Sequence, residues 1–160
     1  MDAKVLDAGG FDVVGIKTRT LNRDEMGPNG KIPKLWQEFY ASQVLGRIPN
    51  RADHKVVVLY YDYESDKDGQ YTYLIGARVP SAGTVPEGMT TKHVPAGKYA
   101  VFSSEAGPVP KIVVETWMRI WAVTADQPGG NRSYLVDYEV YDEKIMNSDR
   151  SHVDVFVGVK

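Results

Sequence analysis

Residues 36–41 read WQEFYA and residues 117–122 read WMRIWA, two aromatic-rich stretches 81 residues apart. A duplicated unit keeps its landmarks at nearly constant separation, and others hold the same interval. Glu25, Gly27 and Pro28 precede Glu105, Gly107 and Pro108 by 80 residues, Tyr61-Asp62 precedes Tyr141-Asp142 by 80, and Gly76 precedes Gly158 by 82. The pattern predicts two copies of one unit. The plain alternative is that two helix-and-hairpin units look alike because all such units do.

Working outward from these stretches gives the content of the unit. From about Pro33 to Gln43, Leu35, Trp36, Phe39 and Tyr40 form the stripe of a half-buried helix that starts at a proline and ends by Gly46 and Pro49. Before it, Phe11 to Thr20 is rich in β-branched residues and reads as a strand, followed by the polar stretch Asn22 to Gly30. After it, Lys55 to Glu64 and Gln70 to Val79 are two β runs joined by Ser65-Asp66-Lys67-Asp68-Gly69, a hairpin turn. The loop Pro80 to Gly88, with two Pro and two Gly, is the expected seam.

Beyond the seam the order recurs. A strand spans Met89 to Glu105, with a break at Pro95-Ala96-Gly97, and a helix runs from about Pro110 to Thr124 with Val113, Trp117, Ile120 and Trp121 on its apolar stripe. A second hairpin follows, from Ser133 to Asp142 and His152 to Val159. The expectation is one α+β domain over residues 1–160, a duplicated βαββ with halves of about 1–82 and 83–160 facing each other across a cleft.

Composition narrows the function. Charged residues are 25%, hydrophobic residues 42% and the net charge is −2, so no basic stripe is present to neutralise a phosphate backbone and direct contact with nucleic acid is not expected. There is no Cys, which removes disulfides and thiolate chemistry. MDAKVLDAGG has no apolar core of a signal peptide and no apolar run approaches a membrane span, which reads as cytoplasmic. Ten Tyr, three Trp and four Phe are more rings than so small a core needs, and surplus aromatics can line a pocket.

Candidate site residues follow from strand and helix periodicity. In the strand Asp137 to Asp142, Asp137, Glu139 and Tyr141 share one face and Tyr138 and Val140 the other. If the odd face meets the cleft, Glu139 is a carboxylate among rings, where burial raises its pKa unless a cation or hydrogen bonds compensate. The alternative is a solvent-facing strand carboxylate. Trp36 with Tyr40, and Trp117 with Trp121, are each one turn apart and are placed on either side of the cleft. Ordinary core packing is the alternative, although Leu35, Phe39, Val113 and Ile120 offer another core face. Tyr61, the repeat partner of Tyr141, is expected on the opposite wall, and Tyr99 is a further candidate whose neighbour Val101 reads equally well as core. His54, His93 and His152 stand at no metal-ligand spacing, and no Gly-x-Ser-x-Gly elbow, Walker loop or dinucleotide glycine fingerprint occurs, so neither a metal nor a cofactor is expected.

Four segments carry a family likeness: Gly15 to Asn22, the helix motif Leu35 to Tyr40, the strand Gly97 to Phe102 followed by Gly107-Pro108, and the hairpin strand Asp137 to Tyr141. In this order they resemble the gyrase-inhibitor-like (GyrI-like) small-molecule-binding superfamily. Within it they are most similar to AraC-type effector-binding domains, particularly stand-alone ones encoded on integron gene cassettes. The likeness covers nearly the whole chain. It implies a central cleft that binds hydrophobic, often cationic, compounds with a buried Glu and surrounding aromatics.

In transcription regulators of that superfamily the module is attached to a DNA-binding helix-turn-helix. Here the two halves account for all 160 residues, so a DNA reader is expected on a separate chain or not at all. Some members are hydrolases of strained electrophilic compounds, and Glu139 with Tyr141 or a Trp would fill that role. The expected function is therefore a binding module for lipophilic cations. A small hydrolase and a gyrase-inhibiting interaction protein are the alternatives.

Overall fold

The computed structural model describes residues 3–81, 83–142 and 149–160. Among these residues, eight antiparallel strands and four helices follow one another as β1 (Lys4–Ala8), β2 (Phe11–Leu21), α1 (Asn22–Glu25), α2 (Ile32–Ala41), α3 (Val44–Arg47), β3 (Lys55–Tyr61), β4 (Gln70–Val79), β5 (Thr90–Val94), β6 (Gly97–Ser103), α4 (Lys111–Trp121), β7 (Arg132–Asp142) and β8 (Val153–Val159). The fold is α+β, with all strands in a single sheet of order β1-β6-β8-β7-β3-β4-β2-β5. Strand, long helix, strand, strand occurs twice, as β2-α2-β3-β4 and β6-α4-β7-β8. The two series meet where β3 pairs with β7.

The expected strand Met89 to Glu105 is two strands that pair with opposite ends of the sheet. β5 pairs with β2 and β6 with β1. Both pairings belong to one register: Ala8 faces Gly97, and Phe11 faces Val94 three residues further on. β1 was not anticipated, being short, with two charged residues among its five. It stands six places from β2 in the sheet, about 29 Å if the sheet were flat, yet the three residue steps from Ala8 to Phe11 reach at most about 11 Å. The sheet therefore curls until its two ends lie beside each other.

Glycines permit the close backbone approaches that this requires. Gly15 and Gly76 face each other across β2 and β4, and a Cβ on either would lie 2.0 Å from a carbonyl oxygen of the opposite strand. At the crossing, a Cβ on Gly10 would meet the Val94 carbonyl oxygen at 3.1 Å.

Curling gives the sheet two differently covered faces. The inner face buries Val13, Val57, Leu59, Tyr61, Leu74, Val94, Tyr99, Val136 and Tyr138 with strands alone. The outer face carries the helices: α2 packs on β2 and β4, and α4 on β6 and β8. Their core faces are Leu35 and Phe39 in α2, and Ile112, Trp117 and Ile120 in α4. The first helix ends earlier than Gly46 because Gln43 adopts a left-handed conformation (φ 49°), after which α3 begins in a new direction. Since each helix sits over the outer strands of its own series, the central pair β3 and β7 has no helix above it. No helix among the described residues is long and apolar enough to cross a membrane.

Candidate functional site

Over the central strands lies a cavity of about 660 Å³, within the range of small-molecule sites. One wall is α2 with Trp36 and Tyr40, the other α4 with Val113, Trp117, Met118 and Trp121. The floor is tyrosine from three strands, Tyr60, Tyr71, Tyr73 and Tyr141, and Tyr63 and Arg132 close one end. Tyr60 is central to the packing, 5.0 Å from the Trp117 ring and 5.1 Å from Tyr73.

Glu139 lies beneath this floor, fully buried. Strand alternation turns Asp137, Glu139 and Tyr141 to the helix-covered face and Tyr138 to the inner one. Its carboxylate accepts three hydrogen bonds: Tyr60 Oη to Oε2 at 2.6 Å, Trp117 Nε1 to Oε2 at 2.6 Å, and Tyr141 Oη to Oε1 at 2.5 Å. All three donors are neutral. Indole N–H can only donate, so this arrangement suits an ionised acceptor. Burial nevertheless raises the pKa of Glu139, and the bonds from Tyr141, Tyr60 and Trp117 only partly oppose it. Burial first, and the Glu139 charge second, hold Tyr60 and Tyr141 well above the usual phenol range, so both remain hydroxyl donors.

The other acidic side chain on this strand face is already paired. Asp137 binds Arg132 Nη2 at 2.6 Å and the backbone N–H of Gly158 at 2.8 Å, and it also accepts from the Tyr63 hydroxyl. Glu25, at the rim, is tied to its own loop through the backbone N–H groups of Lys31 and Ile32. Of these acids Asp137 has a positive partner, and Glu139 is the wholly buried one that has only neutral partners.

Of the residues singled out from sequence, Trp36, Tyr40, Trp117, Trp121 and Tyr141 line the cavity and Glu139 underlies it. Tyr61 and Tyr99 do not reach it. Both belong to the inner-face cluster, where Tyr99 packs 5.2 Å from Tyr138 and Lys92 lies 4.8 Å from the Tyr61 ring. An interval of 80 residues paired Tyr61 with Tyr141, but adjacent strand residues point to opposite faces. The interval that conserves facing is 81, which pairs Tyr60 with Tyr141. Val113, read as an alternative core residue, packs against the core and also lines the cavity. Tyr60, Tyr71, Tyr73 and Arg132 were not anticipated. Alternation through Tyr71 and Tyr73 was a legible signal, whereas Arg132 sits before a register irregularity in β7 that no periodicity reveals.

Comparison with known proteins agrees with this architecture. The chain is 32% identical over 147 residues to YobU of Bacillus subtilis, named as a candidate transcriptional regulator, covering 91% of this chain and 90% of YobU. The crystal structure of integron cassette protein VCH_CASS2, from the mobile metagenome of Vibrio cholerae, superposes with a TM-score of 0.78 at 30% identity, covering 99% of this chain and 96% of that one. SAV2435, solved bound to tetraphenylphosphonium, shares the fold at a TM-score of 0.63 and 17% identity, over 100% of this chain and 94% of that one. Residues 7–159 match the model of the integron-associated effector binding proteins, Cass2, and the chain belongs to that family.

Proposed function

We propose that the cavity binds lipophilic organic cations, with Glu139 as counter-charge, and that the protein is a non-enzymatic sensor whose occupancy is read by a separate DNA-binding or other protein partner. Glu139 carries this reading: it is a wholly buried carboxylate whose partners are all neutral, set under a floor of rings. A cation above that floor restores charge balance, and each ring face in contact adds about 0.5–2 kcal/mol. The tetraphenylphosphonium bound by SAV2435 is a ligand of this chemistry in the same fold.

The twofold series of elements supports descent of a single domain, residues 1–160, from two βαββ copies, with the site at their seam. The absence of cysteine fits a reducing, cytoplasmic setting.

Tetraphenylphosphonium, titrated while Trp emission is followed, should bind the parent protein and lose about tenfold or more in affinity with Glu139→Gln. Equal affinity in the two proteins would remove the counter-charge role. Turnover of an ester or cyclopropane-bearing compound that disappears in Glu139→Gln would replace the sensor by a hydrolase. Copurification with gyrase, insensitive to ligand and to the substitution, would point to an interaction protein.

A further inference from the structure

The wall of the cavity also contains a cation of the protein's own. Arg132 lines the cavity, with its side chain only 8% exposed. Its guanidinium carbon lies 4.4 Å from the Tyr134 ring centroid and 5.6 Å from that of Trp117. Nη2 serves Asp137, which is satisfied by Gly158 and Tyr63 as well. The Nε of Arg132, by contrast, is buried with no hydrogen-bond partner among the described residues. A buried donor without an acceptor is costly to keep, and a guanidinium in the wall of a largely apolar cavity is the kind of polar group that orients a ligand.

Asp137 and Glu139 are two positions apart on one strand face, so the two charged loci are rooted about 7 Å apart. Trp117 spans them, donating its indole N–H to Glu139 while its ring flanks Arg132. We propose that the ligand is two-ended: a cationic group over Glu139, and a carbonyl or similar hydrogen-bond acceptor for Arg132, joined by a flat apolar body along Trp117. This rests on the cation reading above and deepens it, because a bare lipophilic cation would leave the Arg132 end unused.

Two dyes test it directly. Tetramethylrosamine and tetramethylrhodamine methyl ester share one xanthylium cation, and only the second carries an ester carbonyl. The ester dye should bind the parent protein about tenfold more tightly, the increment of a hydrogen bond to a charged donor. That preference should fall below about twofold in Arg132→Lys, which keeps a charge for Asp137 but lacks the planar fork, and in the charge-balanced Arg132→Met/Asp137→Asn. A loss common to both dyes cancels in the ratio of their affinities, which is the readout. Equal binding of the two dyes by the parent, which needs no variant to fold, overturns the proposal and leaves the cation reading intact, as does a preference that survives in a folded variant. Failure of both dyes to bind overturns both.

Discussion

Val58 on β3 stands directly opposite Glu139 on β7, at the middle of the eight-stranded sheet. The two residues are 81 positions apart, the interval that also relates Tyr60 to Tyr141 and Trp36 to Trp117. The walls of the cavity are thus matched, while the charge at its centre is single. A carboxylate in place of Val58 would stand against Glu139, and like charges so close cannot both ionise. One valine and one glutamate keep a solitary negative charge at the junction. Each of the two matched tyrosines donates to it.

Because burial holds the Glu139 pKa up, the native protein binds this proton more tightly than the unfolded chain. The stability it contributes is full below the ordinary glutamate range and is lost as pH rises through the native pKa. Glu139→Gln keeps an oxygen for the donors and removes the charge. Thermal melts of the unliganded proteins should show the variant level with the parent near pH 4 and higher at pH 8, by about 3 °C for each kcal/mol relieved. A variant that melts lower at pH 8 would show that the carboxylate stabilises the empty fold.

Cation affinity has the opposite dependence. Only ionised Glu139 offers a counter-charge, so affinity should rise with pH through its titration and then level off, with a proton released on binding below that point. Calorimetry in buffers of different ionisation enthalpy measures the release. Trp117→Phe removes one hydrogen bond to the carboxylate, worth about 1.5–3 kcal/mol, and should move the midpoint to higher pH. Trp36→Phe should leave it in place, since that indole donates to Tyr73 at 2.9 Å.

Tyr60→Phe and Tyr61→Phe delete the same atom one residue apart on faces of opposite role. Loss of the Tyr60 hydroxyl should weaken tetraphenylphosphonium binding several-fold by destabilising the ionised carboxylate. Tyr61→Phe should change that affinity less than twofold, because its ring sits in the inner core. Isothermal titration of both variants decides the facing of β3; equal losses would contradict it.

The curl of the sheet makes one glycine intolerant and another indifferent. Gly15→Ala would set a methyl 2.0 Å from the Ile75 carbonyl oxygen, and the strands would have to part, at a cost of about 3 kcal/mol or more. Gly46, in α3, has nothing within 4 Å of an added Cβ, so Gly46→Ala should be neutral or stabilising by up to about 1 kcal/mol. Urea melts give both values; a stable Gly15→Ala would deny the close approach.

The α+β class, the two amphipathic helices and both hairpins were legible in the residues alone, as was the alternation that sets Glu139 and Tyr141 on one strand face; which face meets the cavity was not. Each legible feature is local: a 3.6-residue or two-residue period is written into consecutive side chains, and turn residues mark where it stops. The sharing of one helix face by Trp36 and Tyr40, and by Trp117 and Trp121, follows from the same period. What lay outside such reasoning was any choice between partners distant in the chain. The break between β5 and β6 was marked by Pro95-Ala96-Gly97, but nothing there says that the segments before and after it join opposite ends of a curled sheet. Tyr61 was expected beside the cavity, and strand pairing gives that face to Tyr60. Arg132 acquired its place beside Asp137 and the cavity only through the irregular register that opens β7. Periodicity is a property of neighbouring residues, and it was readable from the chain; register and closure arise from contacts between segments far apart in it, and only the tertiary fold decided them.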